Sequence, residues 1–590
     1  MVFRVPARAF VGLAALVAAE PAAAQEASPY ARVIVFGDSI SDGGAYADKA
    51  PPGAGRFTTN PDPVWVESVA SGLGLALKPR ANGGTNYAEG GARVATPRPG
   101  APGDLSRTPV TTQVDAFLAG GGSFRADDLV ILQGGGNDVF ATQTNGLSFT
   151  PDDLAVLDKA AADLAAQARR IAVAGSPTLI TASVPRFEVF NSRYRAELSK
   201  AGVNLLYVDL AGLIAEVEAN PAEFGIVNIV DRACRGRVLE SFTCVPADYV
   251  TPDANRTYLF ADGVHFTGVV HEMEADLTLA ALRAPGQVGQ LALAGQAVLQ
   301  APAAARPREG LSRDEWSVFG SAEAGGVEVD AGPRAGGLDS ELAGATAGVA
   351  YGLRSWLTIG GTFGWREGDA EFGVDLGGFD LRAVTVSTFA RAEAGAFDLT
   401  LDAAYGDLQF DDVTRRVKLG PADRIEAGDT HGRTWSAGAE LGLAQVMGPF
   451  VVRPLVGLRY ERTQVGAYAE AGERSTQVTF GAQKIEQLLA SAGAEVSWSA
   501  PGRWPMRPYV RASYETDLLD ETRTLAITPH GAPVSWRTEV YAPDGGYLAY
   551  AAGAAIELQP GLNGVAEVGG TAWRDGADMV AVRLGVRGRF

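Results

Sequence analysis

Two textures of hydrophobic and polar positions divide this chain. Up to about residue 285, short solid apolar runs alternate with longer stretches of helical periodicity. Val33–Phe36, Leu129–Leu132, Thr178–Thr181 and Val203–Val208 read as strands. Pro63–Gly72, Asp152–Ala174, Ser192–Ala201 and Val264–Leu282 read as helices between them. Strands spaced by helices predict an α/β unit, a parallel sheet with helices on both faces, and a segment of about 260 residues suffices for one sizeable core. After residue 310 the period becomes two. Val580, Val582, Leu584, Val586 and Phe590 share one face, whereas Met579, Ala581, Arg583, Gly585, Arg587 and Arg589 share the other. Phe450, Val452, Pro454, Val456, Leu458 and Tyr460 stand likewise against Arg453, Gly457, Arg459 and Glu461. Arginines confined to one face describe a wall between lipid and water.

About twelve such segments begin near Trp316, Leu342, Trp356, Leu381, Phe397, Arg433, Phe450, Lys484, Arg507, Leu548, Gly564 and Met579, most of them 10–14 residues long. That length crosses a bilayer at a tilt. A soluble β-sandwich also alternates. The long strands, even in number, the aromatics near strand ends (Trp356, Trp365, Tyr460, Tyr509, Trp573) and a last segment that runs to Phe590 favour a transmembrane antiparallel barrel. Its closure leaves no backbone group unpaired in lipid. Between the halves, Gln287–Gln300 sets Val288, Leu291, Leu293, Val298 and Leu299 among Ala and Gln, and Pro302, Pro307 and Gly310 end it. This reads as a mildly apolar helix suited to a polar pore, or as a linker.

Arg4 and Arg8 precede an apolar run, Ala9–Ala19, and Ala22-Ala23-Ala24 offers an Ala-x-Ala cleavage site, so residues 1–24 read as a secretory signal peptide with Gln25 the first mature residue. The expected organisation is therefore 1–24 signal peptide, 25–285 α/β domain, 286–310 linker and pore helix, and 311–590 barrel. The net charge of −19 argues against nucleic acid as a partner. The only two cysteines, Cys234 and Cys244, are either a small loop disulfide of an exported protein or two thiols. Four histidines without clustered Cys/His spacing give no zinc site, and His271-Glu272-Met273-Glu274-Ala275 lacks the second histidine of a zincin.

Ser39 ends an apolar strand in the turn Gly37-Asp38-Ser39-Ile40-Ser41-Asp42, where an α/β sheet places its chemistry. A serine hydroxyl needs a base within hydrogen-bond reach and a group to orient that base. Asp262-Gly263-Val264-His265 offers both on one turn. The oxyanion of an ester intermediate would find donors in the N–H groups of Ser39 and Gly90 and the side-chain amide of Asn137. Read singly, each has a plainer role. Ser39 could cap a helix, as could Asp262; His265 could lie on the surface; Gly90 could permit positive φ; Asn137 could form a turn. His271 has no upstream partner at this spacing and reads as solvent-exposed.

Order and spacing add to this. Val35-Phe36-Gly37-Asp38-Ser39-Ile40-Ser41-Asp42 resembles block I of the GDSL (SGNH) hydrolases. Asn86-Tyr87-Ala88-Glu89-Gly90-Gly91-Ala92 resembles block II, Gly135-Gly136-Asn137-Asp138 block III and Asp262-Gly263-Val264-His265 block V. With a signal peptide, pore helix and twelve-strand barrel, the chain resembles the autotransporter esterases of Gram-negative outer membranes. Two departures are visible: Ile40 stands for the Leu that names the motif, and Phe266 stands where Pro often follows the histidine. The Gly-x-Ser-x-Gly elbow of ordinary α/β-hydrolases is absent.

The resemblance implies an SGNH-hydrolase-like passenger displayed outside the cell and a Ser39–His265–Asp262 triad working through an acyl-serine on acyl esters or lipids. It implies no metal or organic cofactor. Outer-membrane lipid would surround the barrel, barrel-assembly machinery and periplasmic chaperones would serve insertion, and the protein would be monomeric. A carbohydrate O-acetylesterase would use the same residues. A non-enzymatic adhesin would call for a repetitive passenger, which this one is not.

Overall fold

The computed structural model describes residues 28–97, 106–142, 148–236, 241–332, 334–498, 506–543, 545–574 and 576–590. The expected signal peptide lies outside them. The first unit runs β1 (Arg32–Phe36), α1 (Trp65–Gly72), α2 (Val110–Ala119), β2 (Asp128–Leu132), α3 (Gly136–Thr142), α4 (Pro151–Val173), β3 (Thr178–Ala182), α5 (Glu188–Ala201), β4 (Leu206–Val208), α6 (Leu210–Ala219), β5 (Asn228–Arg232), α7 (Ala254–Thr257) and β6 (Tyr258–Phe260). Strands β1 to β4 form one parallel sheet in that spatial order, and β5 pairs with β6.

The strands read as solid apolar runs because both faces are covered. Val33, Val35, Leu129, Ile131, Ile180 and Leu206 join α1 and the first helix after β6 in one cluster. Ile34, Phe36, Val130, Leu132, Leu179 and Tyr207 join α2, α4 and α5 in the other. Asn86 bridges in parallel to Val35 on the free edge of β1. The chain thus leaves β1 first to one side and later to the other. Such a reversal opens a crevice beyond the strand's carboxyl end, where ligands bind in open α/β sheets.

Three helices then follow nearly end to end: α8 (Gly268–Val288), α9 (Leu291–Ala297) and α10 (Gln300–Ala305). The boundary expected at 285 falls inside α8. That helix starts at Gly268 rather than Val264, because Asp262 Oδ1 accepts the N–H groups of both Val264 and His265 (2.8 Å each) and holds them in a tight turn.

The remaining strands are β7 (Trp316–Gly332), β8 (Ala335–Arg354), β9 (Leu357–Glu371), β10 (Gly377–Ala394), β11 (Phe397–Leu419), β12 (Ala422–Leu443), β13 (Gln445–Met447), β14 (Phe450–Val465), β15 (Tyr468–Ala469), β16 (Val478–Phe480), β17 (Gln483–Trp498), β18 (Met506–Asp517), β19 (Thr524–Pro529), β20 (Trp536–Glu539), β21 (Gly546–Gln559), β22 (Leu562–Ala572) and β23 (Ala577–Arg589). Twelve of them close a barrel: β12 pairs with β14, and β23 returns to β7, with Trp316 N–H and Phe590 C=O 2.8 Å apart. The strands outrun expectation, reaching 23 residues in β11 and 22 in β12.

Val580, Val582, Leu584 and Val586 face outward, while Arg583 is buried in the lumen on Glu567 at 3.0 Å. Charges inside are paired, as burial demands; Arg453 meets Asp398 and Glu440, and Arg366 meets Glu323. Helix α9 suits this lumen, for Gln296 donates to Glu461 at 2.9 Å and to Gln487. At the barrel end opposite Phe590, β15, β16, β19 and β20 form a small antiparallel sheet, and β19 packs against α8 and β4.

Candidate active site

Ser39 opens a single 3₁₀ turn directly after β1, with Asp38 as its cap accepting Ile40 N–H at 3.2 Å. Two glutamines that the sequence reading did not single out hold the turn. Gln113 Oε1 accepts Gly37 N–H at 2.9 Å, and Gln133 Oε1 receives Asp38 N–H and Ser41 Oγ at 3.3 Å each. His265 Nε2 lies 2.9 Å from Ser39 Oγ across 226 positions of sequence. His265 Nδ1 lies 2.8 Å from Asp262 Oδ2. Ser39 and His265 are each 8% exposed and Asp262 2%.

Ser241, also unforeseen, donates its N–H to Asp262 Oδ2 at 3.0 Å, and its Oγ is 3.3 Å from His265 Nδ1. It stands three residues before Cys244, which is bonded to Cys234. Burial works to raise the Asp262 carboxyl, but the facing imidazole and the N–H donors outweigh it and hold the group well below the usual carboxylate range. Burial pushes Asp42 up to about 7 and Asp38 up to about 6. The Phe57 ring rests 5.1 Å from the imidazole of His265. Phe266 stacks on Phe260 at 5.5 Å, so the turn lacking the usual proline is braced by a ring pair.

Of the expected oxyanion donors, the Ser39 N–H has no partner among the described residues. Asn137 sits in the first turn of α3 and gives one amide hydrogen to Ala92 O at 3.0 Å, while the other has no partner among the described residues. Gly90 is already engaged: its N–H donates to the buried Asp42 Oδ2 at 2.8 Å. The next amide, that of Gly91 at φ +80°, has no partner among the described residues. His271, expected on the surface, is 1% exposed, with Nδ1 2.9 Å from Glu274 Oε2. Helix α8 has neighbours on several sides, α1 on one and the β11–β12 hairpin on another, so this turn of it meets no solvent.

Comparison with known proteins matches both halves. Residues 33–277 fit the family model described as GDSL-like lipase/acylhydrolase, and residues 318–569 fit that of the autotransporter beta-domain. Esterase EstA of Pseudomonas aeruginosa is 25% identical over 639 residues, covering 93% of this chain and 94% of the relative. Lipase 1 of Photorhabdus luminescens is 24% identical over 585 residues, covering 82% and 85%. The translocator domain of autotransporter NalP from Neisseria meningitidis aligns with 52% of this chain and 99% of its own, at 18% identity and a TM-score of 0.42.

Proposed function

We propose, for a chain that belongs to the GDSL-like lipase/acylhydrolases in its first half and to the autotransporters in its second, that Ser39, His265 and Asp262 cleave carboxylic esters through an acyl-serine. The chain is an ester hydrolase of the outer membrane with its first domain exposed to the outside. What supports the finer reading is the unbroken line from Ser39 Oγ to His265 Nε2 (2.9 Å) and from His265 Nδ1 to Asp262 Oδ2 (2.8 Å).

Ser39 Oγ attacks the ester carbonyl while His265 Nε2 takes its proton, and Asp262 steadies the imidazolium. The oxyanion is held by the N–H groups of Ser39 and Gly91 and the second hydrogen of the Asn137 amide. Collapse of this intermediate expels the alcohol, which receives the proton from His265. Water, deprotonated by the same nitrogen, then frees the acid and restores Ser39. Acyl esters or lipids are the substrates. Barrel-assembly machinery and periplasmic chaperones are the partners we propose for insertion, since a closed barrel cannot present unpaired strand edges to lipid.

The test compares the wild type with Ser39→Ala on intact cells. Wild-type cells should hydrolyse p-nitrophenyl esters added outside, and the variant should lose roughly 10⁴-fold or more in kcat. Residual activity near wild type would remove Ser39 from the chemistry.

A further inference from the structure

The Asn137 side of the site carries an apolar surface that the steps above leave unused. Phe140 lies three residues beyond Asn137 on α3 and is 43% exposed. Its ring meets Phe187 edge-on at 5.1 Å, and Phe187 is itself only half-buried. The pair adjoins the nucleophile's turn. Where a Cβ of Gly136 would stand, Val184 Cγ1 is 3.3 Å away, Phe187 Cε2 3.7 Å and Asp38 Oδ2 3.8 Å. Asp38 precedes Ser39 in the chain, and Gly136 precedes Asn137. Phe187 therefore packs beside the buried residues that immediately precede Ser39 and Asn137, and Phe140 extends the apolar surface outward from it.

The stereochemistry of the reaction says which half of an ester meets this wall. The tetrahedral carbon has four substituents: Ser39 Oγ, the oxyanion, the alcohol oxygen and the acyl chain. The oxyanion goes to the N–H donors. The alcohol oxygen must face His265 Nε2, which protonates it on departure. The acyl chain is left with the side away from His265, and Phe140 and Phe187 are partly exposed rings beside Asn137 that can receive it. On the His265 side the rings are Phe57, which is buried, and Phe242, 5.2 Å from it and half-buried.

We propose that Phe140 and Phe187 are the acyl subsite, across which a medium-length fatty acyl chain lies with Val184 beneath. The proposal rests on the Ser39–His265–Asp262 reading and supplies what that reading leaves open, the acyl half of the substrate. Stacking of methylenes on two partly exposed rings removes apolar surface of both from water, so transition-state binding grows with chain length. Acetyl esters are too short to reach the pair.

The test measures kcat/KM of the purified full chain for p-nitrophenyl acetate and for p-nitrophenyl octanoate below its micellar concentration. Phe140→Ala and Phe187→Ala should each lower the octanoate-to-acetate ratio of kcat/KM by about 10-fold or more, on the scale set by a few methylenes in an apolar pocket. Phe140→Leu, which keeps an apolar cover, should retain most of the octanoate rate. The acetate rate doubles as the measure of folding. Equal loss on both esters, or no loss on either, would overturn the subsite. So would a selectivity that follows Phe242→Ala instead. A loss confined to micellar ester would make the pair a lipid-surface contact and would overturn it too. Failure of the triad reading has a separate signature, an active Ser39→Ala protein.

Discussion

Gly90 and Gly91 are neighbours with opposite duties. A Cβ on Gly90 would run into the Phe57 ring, and that ring backs the imidazole of His265 at 5.1 Å. Gly90 therefore serves by what it lacks, a side chain, while its N–H is spent on Asp42. Gly91, at φ +80°, has an N–H with no partner among the described residues. Gly90→Ala retains the N–H but pushes Phe57, and with it His265, off position. We expect kcat to fall by about 10²-fold, the usual consequence of a misplacement near 1 Å, and Phe57→Ala in the same chain to restore part of it. Steady-state kinetics of the single and double variants check this, and absence of any recovery would detach Gly90 from the ring. The sequence displayed Ser39, Asp262, His265 and Asn137 because each chemical type stands in a short recognisable turn. It could not rank two adjacent glycines, since which N–H is already engaged depends on a carboxylate 48 residues away. Gln113, Gln133 and Ser241 were invisible for a similar reason: a single polar residue in a short helix, at a strand end or in a loop carries no pattern to betray its partner.

The loop closed by Cys234–Cys244 works as an element of the site. Cys234 donates its N–H to Ala261 O at 3.1 Å, beside Asp262. Ser241 donates to Asp262 itself, and Ser241 O accepts the Asn60 amide at 2.9 Å. Gly55 N–H reaches Phe242 O at 3.0 Å. The cross-link thus ties the Asp262 turn to the loop that covers it. Replacing both cysteines by serine should lower kcat several-fold with little change in KM for p-nitrophenyl acetate, and should destabilise this domain by about 2–4 kcal/mol. Dithiothreitol should reproduce the kinetic loss in the wild type and add nothing in the variant; full activity after verified reduction would make the loop irrelevant to Asp262. Elements of this first domain were legible where they were long or solidly apolar, as with β1, β2, β3 and α4. Helices α2, α3 and α6 have ten residues or fewer, too short a window for a 3.6-residue period to stand out. Helix α8 was found, but its surroundings were not, because pattern along one helix does not reveal how many neighbours enclose it. That is why His271 was expected in water.

Across the whole molecule, the barrel holds the hydrolase domain as well as anchoring it. Helix α8 begins three residues after His265, with Thr267 as its cap, and the carbonyls at its end are taken by the second half of the chain: Gln483 donates to Val288 O at 2.9 Å and Arg523 to Gly289 O at 2.8 Å. Partway along, Asp276 accepts Gly420 N–H at 2.7 Å from the tip of the β11–β12 hairpin. Two residues into β12, Arg424 reaches Glu216 of α6 at 2.5 Å and Glu223 at 2.8 Å, its guanidinium 4.9 Å over the Phe224 ring. Arg424 is 5% exposed and its two partners only partly so, which limits the screening that makes surface ion pairs weak. Because Arg424, Glu216 and Glu223 bond to one another and not to Ser39, His265 or Asp262, docking and chemistry should separate. Arg424→Ala is expected to leave kcat/KM for p-nitrophenyl acetate unchanged in the solubilised full chain, while amide exchange in α6 and in the β11–β12 hairpin speeds by about tenfold or more, as loss of a partly buried charged contact permits local opening. Glu216→Gln with Glu223→Gln should give the same exchange pattern, since it empties the same contact from the other side. Unchanged exchange in both variants would mean that α8 alone carries the domain; lost esterase activity in both would mean that the hairpin shapes the site, and the separation of docking from chemistry would be wrong.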